Sequence, residues 1–69
     1  MSISYKKLWK LLIDKDMTKT QLREKADIAT STLAKLSKDE QVSMDVLLRI
    51  CKTLDCDIAD IMELTKEYK

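Results

Sequence analysis

Residues 17–40 read MTKTQLREKADIATSTLAKLSKDE, and this stretch decides the fold. Thr18, followed three positions later by Gln21, makes a capping box, in which the two side chains satisfy backbone N–H groups at a helix start. Behind it Leu22 and Ala26 stand four apart on one helix face, with Met17 just ahead. Asp27 interrupts the pattern. Ile28, Leu33 and Leu36 then resume it and predict a second helix from Thr30 to Lys38. Most residues between these apolar anchors are Thr, Ser, Lys or Arg. The segment therefore reads as two short helices joined by a tight turn, the second with a polar outer surface.

The flanks read as helices too. A first helix is expected over Tyr5–Asp14, with Leu8, Leu11, Leu12 and Tyr5 inward, Lys6, Lys7 and Lys10 outward, and Trp9 between the faces. Trp9 can sit there as a half-buried core-edge residue against the C-terminal helix or as an exposed anchor for a partner. Ser43 is placed to cap a fourth helix, with Asp45 in its first turn where the helix dipole favours an anion. Val46, Leu47, Ile50, Cys51 and Leu54 form that helix's apolar stripe. Asp57 caps an expected fifth helix, from Ile58 to about Leu64, which buries Ile58, Ile61 and Met62, and residues 65–69 form a polar tail. The expectation is a compact all-α domain of five helices and no strands, one domain over residues 1–69.

Composition narrows the functional classes. A chain of 69 residues holds one domain and a small core, and such domains are marginally stable. Hydrophobic residues make up 45% but Phe is absent, so Leu, Ile and Met must fill that core. With neither Gly nor Pro, no segment looks like a flexible linker. No apolar run approaches the roughly 18 residues of a membrane span. Ser4–Lys10 is polar and basic rather than a signal sequence, so a cytoplasmic protein with no membrane partner is expected. Cys51 and Cys56 are five apart and His is absent, which suits no common metal spacing; both are expected as buried, reduced thiols. Without His, a glycine loop or a nucleophile at recognisable spacing from a base, the chain does not read as an enzyme, and no cofactor or small-molecule substrate is expected.

Charge is uneven along the chain. Residues 1–38 carry nine basic and four acidic side chains, net +5; residues 39–69 carry four and eight, net −4. Such polarity leaves a basic half to face phosphate and an acidic half pointing away.

The paired helices resemble a helix-turn-helix, in which the second helix enters the DNA major groove. From about Leu8 to Met62 the chain resembles the lambda-repressor-like, Cro-type (XRE) family of small DNA-binding regulators. Leu22, Ala26, Ile28, Thr32, Leu33 and Leu36 stand in register with the family's first block, and Leu47, Ile50, Cys51, Leu54, Cys56, Ile58 and Ile61 with its later one. Where the family usually carries Gly, this chain has Asp27, Asp39 and Asp55. Those positions call for φ > 0, and Asp and Asn are the least costly non-Gly choices there. Ala29 stands where the family prefers a Ser or Thr cap, a loss of about 1 kcal/mol, and Thr30 or Ser31 could compensate by starting the helix one residue later.

The resemblance implies double-stranded DNA as partner, with residues 18–38 as the helix-turn-helix. Thr30, Ser31 and Lys35 become the expected base contacts: hydroxyls read bases permissively, and Lys35 can donate to guanine O6 and N7. Phosphate contacts are expected from Thr18, Lys19, Thr32 and Lys38, with Arg23 a weaker candidate because it can pair instead with Asp27 at i, i+4. One domain makes few phosphate contacts, and relatives dimerise on palindromic sites. Trp9, Met62, Leu64 and Tyr68 are the expected dimer contacts. The implied function is a sequence-specific transcriptional regulator, expected to repress. Two other readings stay open: an antitoxin-like protein that binds DNA and a protein partner, and an interaction module that has lost DNA binding. Acidic or bulky apolar residues at positions 30, 31 and 35 would favour the last, and Thr, Ser and Lys stand there instead.

Overall fold

The computed structural model describes residues 2–66. Strand β1 (Ser2–Ser4) leads into α1 (Lys6–Asp14), α2 (Lys19–Ala26), α3 (Thr30–Ser37) and α4 (Met44–Leu54). A short 3-10 turn (Ile58–Asp60) and strand β2 (Glu63–Thr65) follow.

The expected fifth helix does not form. Asp57 does cap the segment, its Oδ1 accepting from the Ile58 N–H at 3.1 Å, and Asp60 Oδ2 accepts from the Asp57 N–H at 3.0 Å. The helical turn ends after three residues, and the chain extends to pair antiparallel with β1, Ile3 facing Leu64 and Ser4 facing Glu63. Ser2 and Thr65 face each other, and their hydroxyls share a hydrogen bond. Pairing the two ends of the chain satisfies backbone groups that one more helical turn would have left to solvent, so a non-local ladder displaces a local one. Ile61 is buried as expected, whereas Ile58 and Met62 are only partly covered. Thr65, expected in a polar tail, belongs to the sheet.

The core follows the predicted stripes. Leu8, Leu12 and Tyr5 are buried from α1 and the residue before it, Leu22 and Ala26 from α2, and Leu47, Ile50 and Leu54 from α4. Leu11, Val46 and Cys51 pack at its edge. Tyr5 precedes α1 rather than beginning it, at 1% exposure. The first buried stripe thus starts on an aromatic ring outside the helix.

Each helix ends the same way. The residue that turns the chain is an Asp in left-handed conformation: Asp16 (φ 55°), Asp27 (φ 54°), Asp39 (φ 57°) and Asp55 (φ 52°). One residue later an N–H reaches back five positions, from Met17 to Leu12 O (2.9 Å), Ile28 to Arg23 O (3.1 Å), Glu40 to Lys35 O (2.9 Å) and Cys56 to Cys51 O (3.0 Å). These are Schellman closures, normally built on Gly. Three of the four follow from the family register. Asp16 was not anticipated.

The same closure accounts for the cysteines. Cys51 and Cys56 occupy the two positions that touch across a Schellman turn. Burial raises the pKa values of both thiols, that of Cys56 to about 11. They are free thiols at the edge of the core, partly rather than fully buried.

Candidate nucleic-acid interface

The two helices of the 17–40 segment are set by the signals that predict them. Thr18 Oγ1 accepts from the Gln21 N–H at 3.1 Å and Gln21 Oε1 accepts from the Thr18 N–H at 2.9 Å, closing the capping box. Leu22 and Ala26 anchor α2, which packs most extensively on α4. Helix α3 is held far more lightly: Leu36 is its one buried side chain, with Leu33 partly covered and Ile28 buried in the turn before it. A fully buried Leu is worth about 1.5–3 kcal/mol, so α3 depends on few anchors.

Its outer face is correspondingly free. Thr30, Ser31, Lys35 and Lys38 are all exposed, and Thr32 is half-buried. Ser31 and Lys35 are four apart, one above the other on a helix. Ala34, also exposed, lies between them and Thr30 and belongs to the same face. The sequence reading passed over Ala34 because a lone Ala in a helix carries no polar signal; its exposure four residues after Thr30 reveals it. Lys38 does not extend the helix as expected but is its C-cap, so α3 stops at Ser37.

The α3 N-terminus is uncapped. Ala29 occupies the N-cap position with no side-chain hydrogen bond, and the helix begins at Thr30 without the one-residue delay that would let Thr30 or Ser31 serve instead. The first-turn N–H groups consequently point outward without a side-chain acceptor, a surface suited to an anion.

On α2, Lys19 is exposed and its ammonium lies 4.2 Å from the centre of the Trp9 ring. Trp9 is partly buried at the core edge, and with Leu12, Ile13, Met17, Thr18 and Lys19 it lines an apolar cleft of ≈ 250 Å³. Arg23 forms no ion pair with Asp27 among the described residues. The basic partner at that turn is Arg49 of α4, whose Nη1 donates to the Asp27 carbonyl at 2.9 Å while its Nε pairs with Asp45 Oδ2 at 3.1 Å.

Lys35 also borders an open cleft of ≈ 630 Å³ with Ser2, Ile3, Asp39, Glu40, Gln41 and Leu64, so the strand pair lies beside the end of α3. Of the expected dimer contacts, Leu64 is 60% exposed there, Met62 is partly buried against the core, and Trp9 lines the other cleft. Tyr68 lies outside the described residues. Lys7, counted in the basic half of the sequence, turns toward the acidic end, donating to Ala59 O at 3.3 Å and lying 4.0 Å from Glu63.

Among the described residues no helix is long and apolar enough to cross a membrane. No curated protein matches the chain. A solved structure, the crystal structure of transcriptional regulator VanUg (Form II), superimposes with a TM-score of 0.93 at 56% identity, covering 96% of this chain and 88% of that one. The family profile described as the Cro/C1-type HTH DNA-binding domain matches residues 7–67. With nearly its whole length matched and its helix-turn-helix built as the pattern requires, this chain belongs to the Cro/C1-type helix-turn-helix family of DNA-binding domains.

Proposed function

We propose that the chain is a sequence-specific transcriptional regulator that inserts α3 into the major groove and acts by repression. The observation that carries this reading is the α3 outer face, where Thr30, Ser31, Ala34 and Lys35 stand exposed on a helix with an uncapped N-terminus. In this arrangement Thr30 and Ser31 read base edges permissively, Ala34 offers a contact to a thymine methyl, and Lys35 donates to guanine. Lys38, Thr32 and Lys19 meet phosphates, together with the N–H groups that open α2. Thr18 Oγ1 accepts from Gln21, which leaves its proton for a phosphate oxygen. Arg23, half-buried on α2, is the weakest of these contacts. The likeness to VanUg supports the regulatory role.

A second copy completes the site in this reading. Two domains related by a two-fold axis set their recognition helices about 34 Å apart on a palindrome. Leu64, exposed on β2 beside the end of α3, is the best-placed of the expected dimer contacts.

The test is titration of wild type and the Lys35→Glu, Lys38→Glu double variant into random duplex DNA at two salt concentrations. Wild type binds in a salt-dependent manner, and the double variant, with charge reversed at both positions, does not. Absence of wild-type binding even at low salt overturns the proposal.

A further inference from the structure

The lightness with which α3 is held raises the question of what fixes its angle. Leu36 is its one fully buried side chain, and a helix with so few anchors can still tilt. Two hydrogen bonds from outside the helix-turn-helix act at its two ends. Three residues before Thr30, the carbonyl of left-handed Asp27 accepts from Arg49 Nη1 at 2.9 Å, and the Arg49 guanidinium is itself braced by Asp45. Three residues after Ser37, the carbonyl of Glu40 accepts from the Tyr5 hydroxyl at 2.9 Å. The Tyr5 N–H also donates to Asp39 Oδ1 at 3.0 Å, so one residue holds two consecutive positions of the loop after α3.

We infer that Arg49 and Tyr5 are positioning residues for the recognition helix, a clamp at each end that sets its pose without touching DNA. The inference rests on the DNA-binding reading above and deepens it. Tyr5 is buried at 1% exposure, out of reach of a groove. Arg49 lies on α4 beside Lys25, Ala26, Lys52 and Thr53, in the furrow between α2 and α4 rather than on the outer face of α3. Both bonds end on backbone carbonyls. Their geometry is therefore indifferent to which side chains α3 carries, so one clamp can serve any set of reading residues.

The experiment uses the full chain with Arg49→Met, Arg49→Gln and Tyr5→Phe. Gln keeps an N–H donor for the Asp27 carbonyl without the charge, and Phe keeps the ring while deleting one hydroxyl. Each is measured for folded fraction, for backbone amide exchange, and for affinity and salt slope on a labelled duplex that wild type enriches from a random pool. Arg49→Met and Tyr5→Phe are each expected to bind about fivefold more weakly, the worth of one hydrogen bond, at unchanged salt slope and full folding. Exchange should quicken at residues 28–32 in Arg49→Met and at residues 40–42 in Tyr5→Phe, and Arg49→Gln should recover part of the Arg49→Met losses in affinity and protection. A salt slope lower by about one in Arg49→Met marks a phosphate contact and overturns its positioning role. Unchanged exchange at both ends overturns the inference, as does an affinity loss that only follows unfolding. If wild type binds no duplex, the DNA reading falls, and amide exchange still decides whether the two residues hold the ends of α3.

Discussion

The four left-handed aspartates make the sharpest stability prediction, because they look alike and differ in one side-chain hydrogen bond. An L-residue in the left-handed region costs about 1–2 kcal/mol, less for Asp, and Gly relieves that cost. Against this, Gly frees the unfolded chain by about 0.4–1 kcal/mol. A carboxylate beside the negative end of a helix adds a penalty of about 0.3–1 kcal/mol that Gly also removes. For Asp55, exposed at the end of α4 with no side-chain hydrogen bond or ion pair among the described residues, the balance favours Gly by about 0.5–1 kcal/mol. Since 1 kcal/mol moves the midpoint of so small a domain by about 4–8 °C, Asp55→Gly should melt about 2–8 °C higher. Asp16→Gly, at the same kind of closure, should behave likewise.

Asp39 should break the series. Its Oδ1 accepts from the buried backbone N–H of Tyr5, and Asp39→Gly strands that donor at a cost of about 1–3 kcal/mol. The expected result is a net loss, of about 0.5–2 kcal/mol, from the same substitution that stabilises the end of α4. Asp55→Asn separates the contributions, since it removes the charge while keeping a residue that tolerates φ > 0. Urea or thermal unfolding followed by circular dichroism reads all four variants. The reasoning is refuted if Asp39→Gly gains as much as Asp55→Gly. It is also refuted if Asp55→Gly is no more stable than Asp55→Asn, which would leave charge rather than backbone geometry as the cause.

Two further predictions concern the edges of the core. Burial raises the Cys51 and Cys56 pKa values, Cys56 to about 11, so the folded state holds these protons more tightly than the unfolded chain does. The resulting stability is complete below the unfolded thiol pKa and is lost as pH rises through the folded one. A Cys51→Ala, Cys56→Ala variant should therefore lose less stability than wild type between pH 9 and about 11 in urea titrations, and parallel curves would sink the argument. Lys19 over Trp9 predicts a second, optical change. If Lys19 leaves the indole for a phosphate on binding, Trp9 fluorescence should change on duplex addition, recover with salt, and respond far less in Lys19→Met. DNA that binds without altering wild-type emission would rule the movement out.

The helix-turn-helix was legible because every signal for it is local. The Thr18–Gln21 box, the Leu22 and Ala26 pair, and Asp27 each act within one turn of their neighbours, and all perform as read. The fifth helix failed for the opposite reason. Ile58, Ile61, Met62 and Leu64 do have helical spacing, but the fate of Glu63–Thr65 depends on Ser2–Ser4, some sixty positions away. Three-residue strands of Ser, Ile, Glu, Leu and Thr show too little alternation to announce themselves. Arg49 escaped notice similarly: its partner is a backbone carbonyl, which leaves no complementary side chain to find in the sequence.

The charge asymmetry takes on a different meaning once most of the acidic residues of the second half have an address. Asp39 and Asp55 turn helix ends, Asp57 and Asp60 cap the short 3-10 turn, Asp45 braces Arg49, and Glu63 faces Lys7. The acidic excess of the second half is thus largely explained by local structure, and by itself says little about DNA. The basic side is not explained this way. Among the described residues the ammonium groups of Lys35 and Lys38 have no hydrogen bond or ion pair, although acidic side chains are plentiful in so small a domain. Exposed lysines gain little from surface pairs, so solvation alone could leave any one of them unpaired. What solvation does not explain is their placement, Lys35 on and Lys38 directly after the one helix that spends almost no side chain on the core and opens without a cap. The case for a nucleic-acid partner therefore rests on α3 with Lys35 and Lys38, and neutralising Asp55, Asp57, Asp60 or Glu63, which brace neither Arg49 nor Tyr5, should leave duplex affinity nearly unchanged wherever the fold survives.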